Sequence, residues 1–296
     1  MGWSPKTAQT HAGNFKYHLL PAFGDRTAAS VTSAELDRFY RKLDVEQGLS
    51  PSFIHRLHSQ IRAMYNWSRR KGLIDVNPAL AADAPTGKGR QLEIPSMTDV
   101  RLVQDAASPD FSVFVQLAAT TGARRGTLVA LRWGGINLDR GIITFTRSIA
   151  DSVDGPVEKG TEADRPYSVS IGAATVEMLR VHRGRAVERT DAVGVKVGPR
   201  SFVFSDDGGV NHWSLGWPSH AWERTSAKVG IIGLRLHDLR HTAASQMLMA
   251  GIPVSIVAER LGCTEANIFR TYRHFIPGSD QTAAELMDRL LAGGKA

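Results

Sequence analysis

The sequence predicts a mainly α chain with a small antiparallel β-sheet. An all-helical domain is expected over residues 1–83, a linker over 84–95 and a mixed α+β domain over 96–296. Three observations lead there. Residues 5–80 read as helical segments parted by Pro, Gly and Asn-Pro, with nothing strand-like among them. The stretch APTGKGRQLEIP at 84–95 is rich in Gly and Pro and poor in large apolar groups, as linkers are. β-branched runs come only after it.

Taken in order, Ser4-Pro5 opens a first helix through Thr7 to Leu20, and Pro21 and Gly24 end it. Thr32 or Ser33 caps a second helix, with Glu35 and Asp37 in its first turn. Gly48 and Pro51 part it from a third, which Gly72 closes before the Asn77-Pro78 turn. Past the linker, residues 98–107, 111–121 and 124–133 read as helices, with Gly122 interrupting. The run 141–146 is a strand by its β-branched content, and 167–171 alternates like a second. These two are expected to pair as a hairpin whose long, mobile tip is the polar stretch 150–165. Residues 201–204 read as a short apolar strand, and the chain from about 213 is mainly helical.

Composition bounds the function. With 42% hydrophobic and 22% charged residues, the chain is neither a disordered tail nor a collagen. Its single cysteine, Cys263, cannot close an internal disulfide, which fits a reducing compartment. No apolar run approaches the roughly 18–20 residues of a membrane helix, and the first 20 residues lack a signal-peptide core. A cytoplasmic protein is expected. The net charge of +7 suggests a polyanionic partner. Residues 1–95 carry a net +5 of it. No acid occurs between Glu46 and Asp75. On the helix there, Ile54, Leu57, Ile61 and Met64 form an apolar stripe, while His55, Arg62 and Arg69 align on a neighbouring face. With Arg70 and Lys71 they are the candidate DNA-phosphate contacts. A solvated helix face is the bland alternative.

Four strings carry chemistry: Thr121-Gly122-Ala123-Arg124; Lys159, placed on the expected hairpin tip; Leu236-His237-Asp238-Leu239-Arg240-His241; and Leu261-Gly262-Cys263 with Tyr272 nine residues after the cysteine. Each has an ordinary reading, such as a surface arginine, a loop lysine or an interface aromatic. His237 and His241, four apart, could pair on a metal. A zinc-protease helix needs Glu after the first His, however, and Asp238 stands there with no evident third ligand. Arginines suit a phosphoryl transition state because they stay cationic and present a planar fork of donors. Neither a Walker-type loop nor a carboxylate cluster for a two-metal nuclease is found.

Together these strings closely resemble one family, the tyrosine recombinases, in the branch of phage and mobile-element integrases. The family's T-G-x-R arginine matches Arg124, its hairpin lysine Lys159, its H-x-L-R-H box His237 to His241 and its nucleophile Tyr272. The resemblance spans nearly the whole chain. It implies an all-helical core-binding domain followed by a tyrosine recombinase catalytic domain. Arg124 and Arg240 would clamp the phosphate, His237 would add a hydrogen bond and help manage the tyrosine's proton, and Lys159 would protonate the departing 5′-oxygen. Tyr272 would form a 3′-phosphotyrosyl intermediate, with no metal, ATP or other cofactor. The implied partners are double-stranded recombination sites, a homotetramer on synapsed DNA, and a directionality factor or host DNA-bending protein. An amphipathic helix at 281–292 is the expected exchange helix. The arm-binding domain of many integrases is not expected, because the chain starts almost directly at the core-binding part. Two positions depart from the pattern: Thr127 replaces a usual Glu, and Cys263 replaces the family's second His or Trp. A thiol is a weaker and smaller donor than imidazole. That departure motivates a non-catalytic or impaired DNA-binding relative as one alternative, and type IB topoisomerase-like activity is the other.

Overall fold

A computed structural model describes residues 5–85, 94–161, 165–191, 194–276 and 280–292. The chain folds as two compact units, residues 1–92 and, apart from 152–154, residues 93–296. Most of the expected 84–95 linker lies outside the described residues.

The first unit is helical throughout its described part. Helix α1 (Pro5–Asn14) runs into a π-helical turn (Phe15–Leu19) and then α2 (Leu20–Phe23). Pro21 therefore does not end the first helix. It lies in the first turn of α2, where its missing N–H removes little, because the π turn has already shifted the hydrogen-bond ladder. Helix α3 (Ser33–Val45) starts at a capping box: Thr32 accepts from the Glu35 N–H, and the Glu35 carboxylate accepts from the Thr32 N–H. Helix α4 (Pro51–Arg70) is capped by Ser50, with Pro51 in its first turn. Leu36, Phe39, Tyr40 and Leu43 of α3 and Ile54, Leu57, Ile61 and Tyr65 of α4 share one core. Met64, expected in the apolar stripe, is only partly buried.

The second unit packs around α6 (Pro109–Thr121), whose Phe114, Val115 and Leu117 are completely buried. Helix α5 (Met97–Ala106) lies against it, opened by a Ser96–Asp99 capping box. The short α7 (Arg125–Val129) follows. Next comes a three-stranded antiparallel sheet in the order β1 (Ile136–Asn137), β2 (Ile142–Phe145), β5 (Tyr167–Ser170), with Ile143 opposite Val169 and Phe145 opposite Tyr167. The two expected strands thus pair, but the segment between them is not a loose tip. It forms a second hairpin, β3 (Arg147–Ser152) with β4 (Gly155–Gly160). Its exposed residues lack the one-sided alternation that marks a strand.

Two further expectations are corrected. Residues 201–204 are not a strand. Phe202 makes one isolated bridge to Arg132, and the backbone here is satisfied piecemeal: Phe202 N–H donates to Gly209 O, Val203 N–H to Leu131 O, and Phe204 O accepts from Trp213 N–H. The stretch between the second and third expected strands holds a 19-residue helix, α8 (Ala173–Asp191). The rest is helical: α9 (Trp217–Lys228), α10 (Asp238–Met249), α11 (Val254–Leu261), α12 (Glu265–Tyr272) and α13 (Asp280–Leu291). No helix among the described residues is long and apolar enough to cross a membrane.

A polar cluster ties α8 to the start of α6. The buried His182 ring lies 3.1 Å from Asp110 Oδ1 through Nδ1 and 2.9 Å from Val203 O through Nε2, while Arg185 and Arg189 also reach Asp110. Burial alone would raise the Asp110 pKa, but the hydrogen bonds from His182 and Arg189 prevail and hold it below the usual carboxylate range. The cluster's stabilisation is therefore complete above the unfolded carboxyl pKa, about 4, and is lost as pH falls below it. Replacing Asp110 by Ala strands the His182 ring, so urea unfolding at pH 7 should show a loss of about 1–3 kcal/mol. An unchanged midpoint would remove the cluster from its role.

Candidate active site

The sequence strings meet in the second unit through one buried side chain. Arg240, on the first turn of α10, donates from Nη1 to Gly122 O at 2.7 Å and to Leu261 O at 2.9 Å. It is only 7% exposed, and burial pushes its pKa down. Gly122 ends α6 with a φ of +63°, a conformation glycine adopts freely. A Cβ there would lie 2.3 Å from Leu261 Cδ2, so the two loops touch. A second arginine braces the same corner: Arg260 donates to Thr120 O at 2.8 Å and to Ser170 O at 2.9 Å. Thr121 Oγ1 accepts from the Ala123 N–H, which turns the chain toward Arg124 at the N-cap of α7.

Arg124, Lys159, His237 and Arg240 line one cleft of about 420 Å³, together with Ser148 and Ser219. Lys159 is not on a hairpin tip, as expected, but inside β4. Its neighbour Glu158 is gripped by both ends of the Arg132 guanidinium, at 2.7 and 2.9 Å. That hydrogen-bonded pair, which holds the Glu158 pKa down, fixes one face of β4. Successive strand residues point to opposite faces, so Lys159 is directed to the other one, into the cleft.

Tyr272, the last residue of α12, is 5% exposed. Its Oη lies 2.6 Å from His241 Nδ1. The His237 and His241 rings meet edge to face with centroids 5.1 Å apart. Burial raises the Tyr272 pKa to about 12, against the opposing pull of Arg240 and Arg124. Loss of solvent around His237, then charge from His241, Arg240 and Arg124, pushes its pKa down to about 4. The residue as a whole is exposed, which moderates that shift without changing its sign, so His237 is neutral at pH 7. Cys263 follows the left-handed Gly262, with its N–H donating to Ala258 O, and its charge state is felt by both Arg240 and Tyr272.

Five of the expected site residues, Arg124, Lys159, His237, Arg240 and Tyr272, thus belong to one region, with Cys263 beside it. The other expected set, His55, Arg62, Arg69, Arg70 and Lys71, lies exposed on α4 and just after it in the first unit. Sequence reasoning gives His241 no role of its own. The signal is present, since a residue four beyond His237 shares its helix face.

The sequence profile of the phage integrase family matches residues 98–277, more than half of the chain. The chain belongs to the phage integrase family. An integrase of Saccharopolyspora erythraea is 22% identical over 92% of this chain and 74% of its own. A XerC-like tyrosine recombinase of Caldanaerobacter subterraneus subsp. tengcongensis is 23% identical over 98% of this chain and 79% of its own. Among solved structures, the Tn1549 transposon integrase in complex with a circular intermediate DNA aligns with a TM-score of 0.80 at 13% identity, over 98% of this chain and 95% of that one. A lambda integrase dimer bound to a COC′ core site aligns with a TM-score of 0.65 at 17% identity, over 90% and 91%. These two share the fold. The chain is a site-specific tyrosine recombinase.

The Gly122 corner yields a stability test within the second unit. Gly122→Ala combines a left-handed backbone with a clash, whereas Gly251→Ala meets the same backbone cost (φ +78°) in open space. Urea unfolding should place the Gly122 variant about 1–3 kcal/mol below the Gly251 variant, the usual range for overpacking. Equal losses would mean that the Leu261 contact yields freely.

Proposed function

We propose that the chain cuts and rejoins double-stranded DNA at a recombination site through a 3′-phosphotyrosyl bond to Tyr272, without metal or nucleotide. The observation that carries this reading is the convergence of Arg124, Lys159, His237 and Arg240 on one cleft, with the tyrosine within electrostatic reach of both arginines. Arg240 uses its two Nη1 protons on carbonyls, which leaves three donors on Nη2 and Nε for a phosphate. Arg124 faces the same space. Charge building on the non-bridging oxygens of a five-coordinate phosphorus would meet a preorganised clamp in a partly desolvated pocket. Neutral His237 would donate one hydrogen bond. Lys159 would protonate the 5′-oxygen as it leaves. The phenol is a better leaving group than that alcohol, so the covalent link keeps the bond energy for rejoining.

The wider assembly belongs to the same proposal. The first unit would act as the core-binding domain, with the cationic face of α4 on DNA phosphates. The solved Tn1549 and lambda integrases are described on DNA, which supports this class of partner. On α13, Met287, Leu290 and Leu291 are exposed, which supports its docking as an exchange helix on another protomer of a tetramer. A directionality factor or a DNA-bending host protein would complete the complex in the cytoplasm. Cys263 favours one competing reading, an impaired DNA-binding relative.

Covalent trapping separates these readings. On a nicked suicide duplex carrying the junction sequence of the element's own ends, the wild type should form a protein–DNA adduct without metal or ATP. Tyr272→Phe should bind without forming it, and Arg124→Ala or Arg240→Ala should slow it by about 10²–10³-fold. Specific binding with no wild-type adduct would favour the impaired relative.

Salt dependence tests the α4 face. Each lost phosphate contact should reduce the magnitude of the log–log salt slope of affinity by about 0.9, so Arg62→Ala/Arg69→Ala should reduce it by about 1.8. An unchanged slope would make that face a bystander.

A further inference from the structure

We propose that His241, not His237, takes the proton of Tyr272 during strand cleavage and returns it during rejoining. The inference rests on the reading of Tyr272 as the nucleophile. His241 Nδ1 is 2.6 Å from Tyr272 Oη, a hydrogen bond at the short end of the usual range. His237 contacts the His241 ring edge to face and lines the cleft with the arginines. The two histidines therefore divide the work: His237 faces the phosphate site, and His241 faces the nucleophile.

The chemistry requires such a group. With its pKa raised to about 12, Tyr272 is a protonated phenol at neutral pH. At pH 7.5 the phenolate is roughly one molecule in 10⁴–10⁵. A base in contact with the hydroxyl removes the need to wait for that fraction. His241 is suited to accept. Burial lowers its pKa, Asp238 opposes this, and Arg240 and Arg235 lower it further, so the ring is neutral and offers a lone pair. The titratable and charged groups facing the pair are Asp238, Arg235, Arg240 and His237 around His241, and Arg240, Arg124 and Cys263 around Tyr272. With the phenol donating to Nδ1, the neutral ring carries its proton on Nε2.

The step balances. The Tyr272 Oη–P bond forms as the P–O5′ bond breaks. The phenol proton moves to His241 Nδ1, giving an imidazolium, and the 5′-oxygen takes a proton from Lys159. In rejoining, a 5′-hydroxyl attacks phosphorus and gives its proton to the lysine amine, while the imidazolium reprotonates the departing phenolate.

The test is single-turnover adduct formation by the full chain on the nicked junction duplex, for wild type, H241A, H241Q and Y272F. Glutamine can hold the phenol by a hydrogen bond but cannot take its proton, so H241Q separates proton transfer from positioning. At pH 7.5 both His241 variants should be slower by about 10²–10⁴-fold, the usual worth of a positioned base. DNA affinity and melting temperature of H241Q should match the wild type. Between pH 7 and 9 the wild-type rate should be nearly level, whereas each variant should climb about tenfold per pH unit as hydroxide supplies the phenolate. A wild-type adduct with H241Q near the wild-type rate, or with a level variant profile, overturns the role of His241 alone. No adduct from the wild type overturns the nucleophile reading itself, and this inference with it.

Discussion

The active-site unit depends on a buried positive charge that cannot be left unpaired. Arg240 is almost fully enclosed, and an unpaired guanidinium there would be strongly destabilising. Its Nη1 protons go to backbone carbonyls 118 and 21 residues away in sequence, at Gly122 and Leu261. Those carbonyls belong to the two turns that carry Arg124 and Cys263. Fixing one side chain therefore fixes the separation of three strings that the sequence scatters between residues 121 and 263. The glycine at 122 is part of the same constraint, because only a residue without Cβ lets its carbonyl and Leu261 approach the arginine together.

From that constraint follows the electrostatic character of the cleft. Burial first, and the charge of nearby arginines after it, keeps the histidines neutral: Arg240 and Arg124 act on His237, and Arg240 and Arg235 on His241. A neutral imidazole can donate or accept, whereas an imidazolium can only donate. On the proposed reading, the burial that lowers the His241 pKa, aided by Arg240, would leave the ring able to receive a proton. Arg240 and Arg124 lower the pKa of the tyrosine, but burial outweighs them, and the phenol stays protonated.

What the sequence discloses, and what it hides, follows from the kind of signal each element emits. Helix α3 is legible from its Thr32 cap and α4 from its apolar stripe after Pro51, which give the one a start and the other a period as well. Helix α8 is hidden because its inward positions include Thr175, His182 and Thr190, so its buried side is not an apolar stripe. It is held by the polar Asp110 cluster, which no periodicity reveals. Strand β4 is hidden because its middle residues are all exposed, and with it the true place of Lys159. The arginines, His237 and Tyr272 are legible because their strings match the family's pattern. His241 is visible as a letter, yet its importance lies in a contact with α12, 31 residues on, which only the fold brings about.

On the proposed reading, the two departures from the family pattern would act on a bound phosphate in opposite directions. Thr127 is 5% exposed, and its N–H donates to Arg124 O, so it serves the α7 turn through its backbone whatever its side chain is. A carboxylate in its place would offset part of the Arg124 charge, so a neutral threonine leaves the local field more positive. Cys263 does the reverse, replacing a firm ring donor with a short thiol that donates weakly. The loss would fall on a hydrogen bond to phosphate, and the gain on the long-range attraction for the same phosphate. Because Coulomb attraction in a partly desolvated pocket decays slowly while a hydrogen bond fails within an ångström, the exchange preserves binding better than it preserves the orientation of the phosphate. On that argument the departures bear on the rate of the chemical step more than on occupancy of the site.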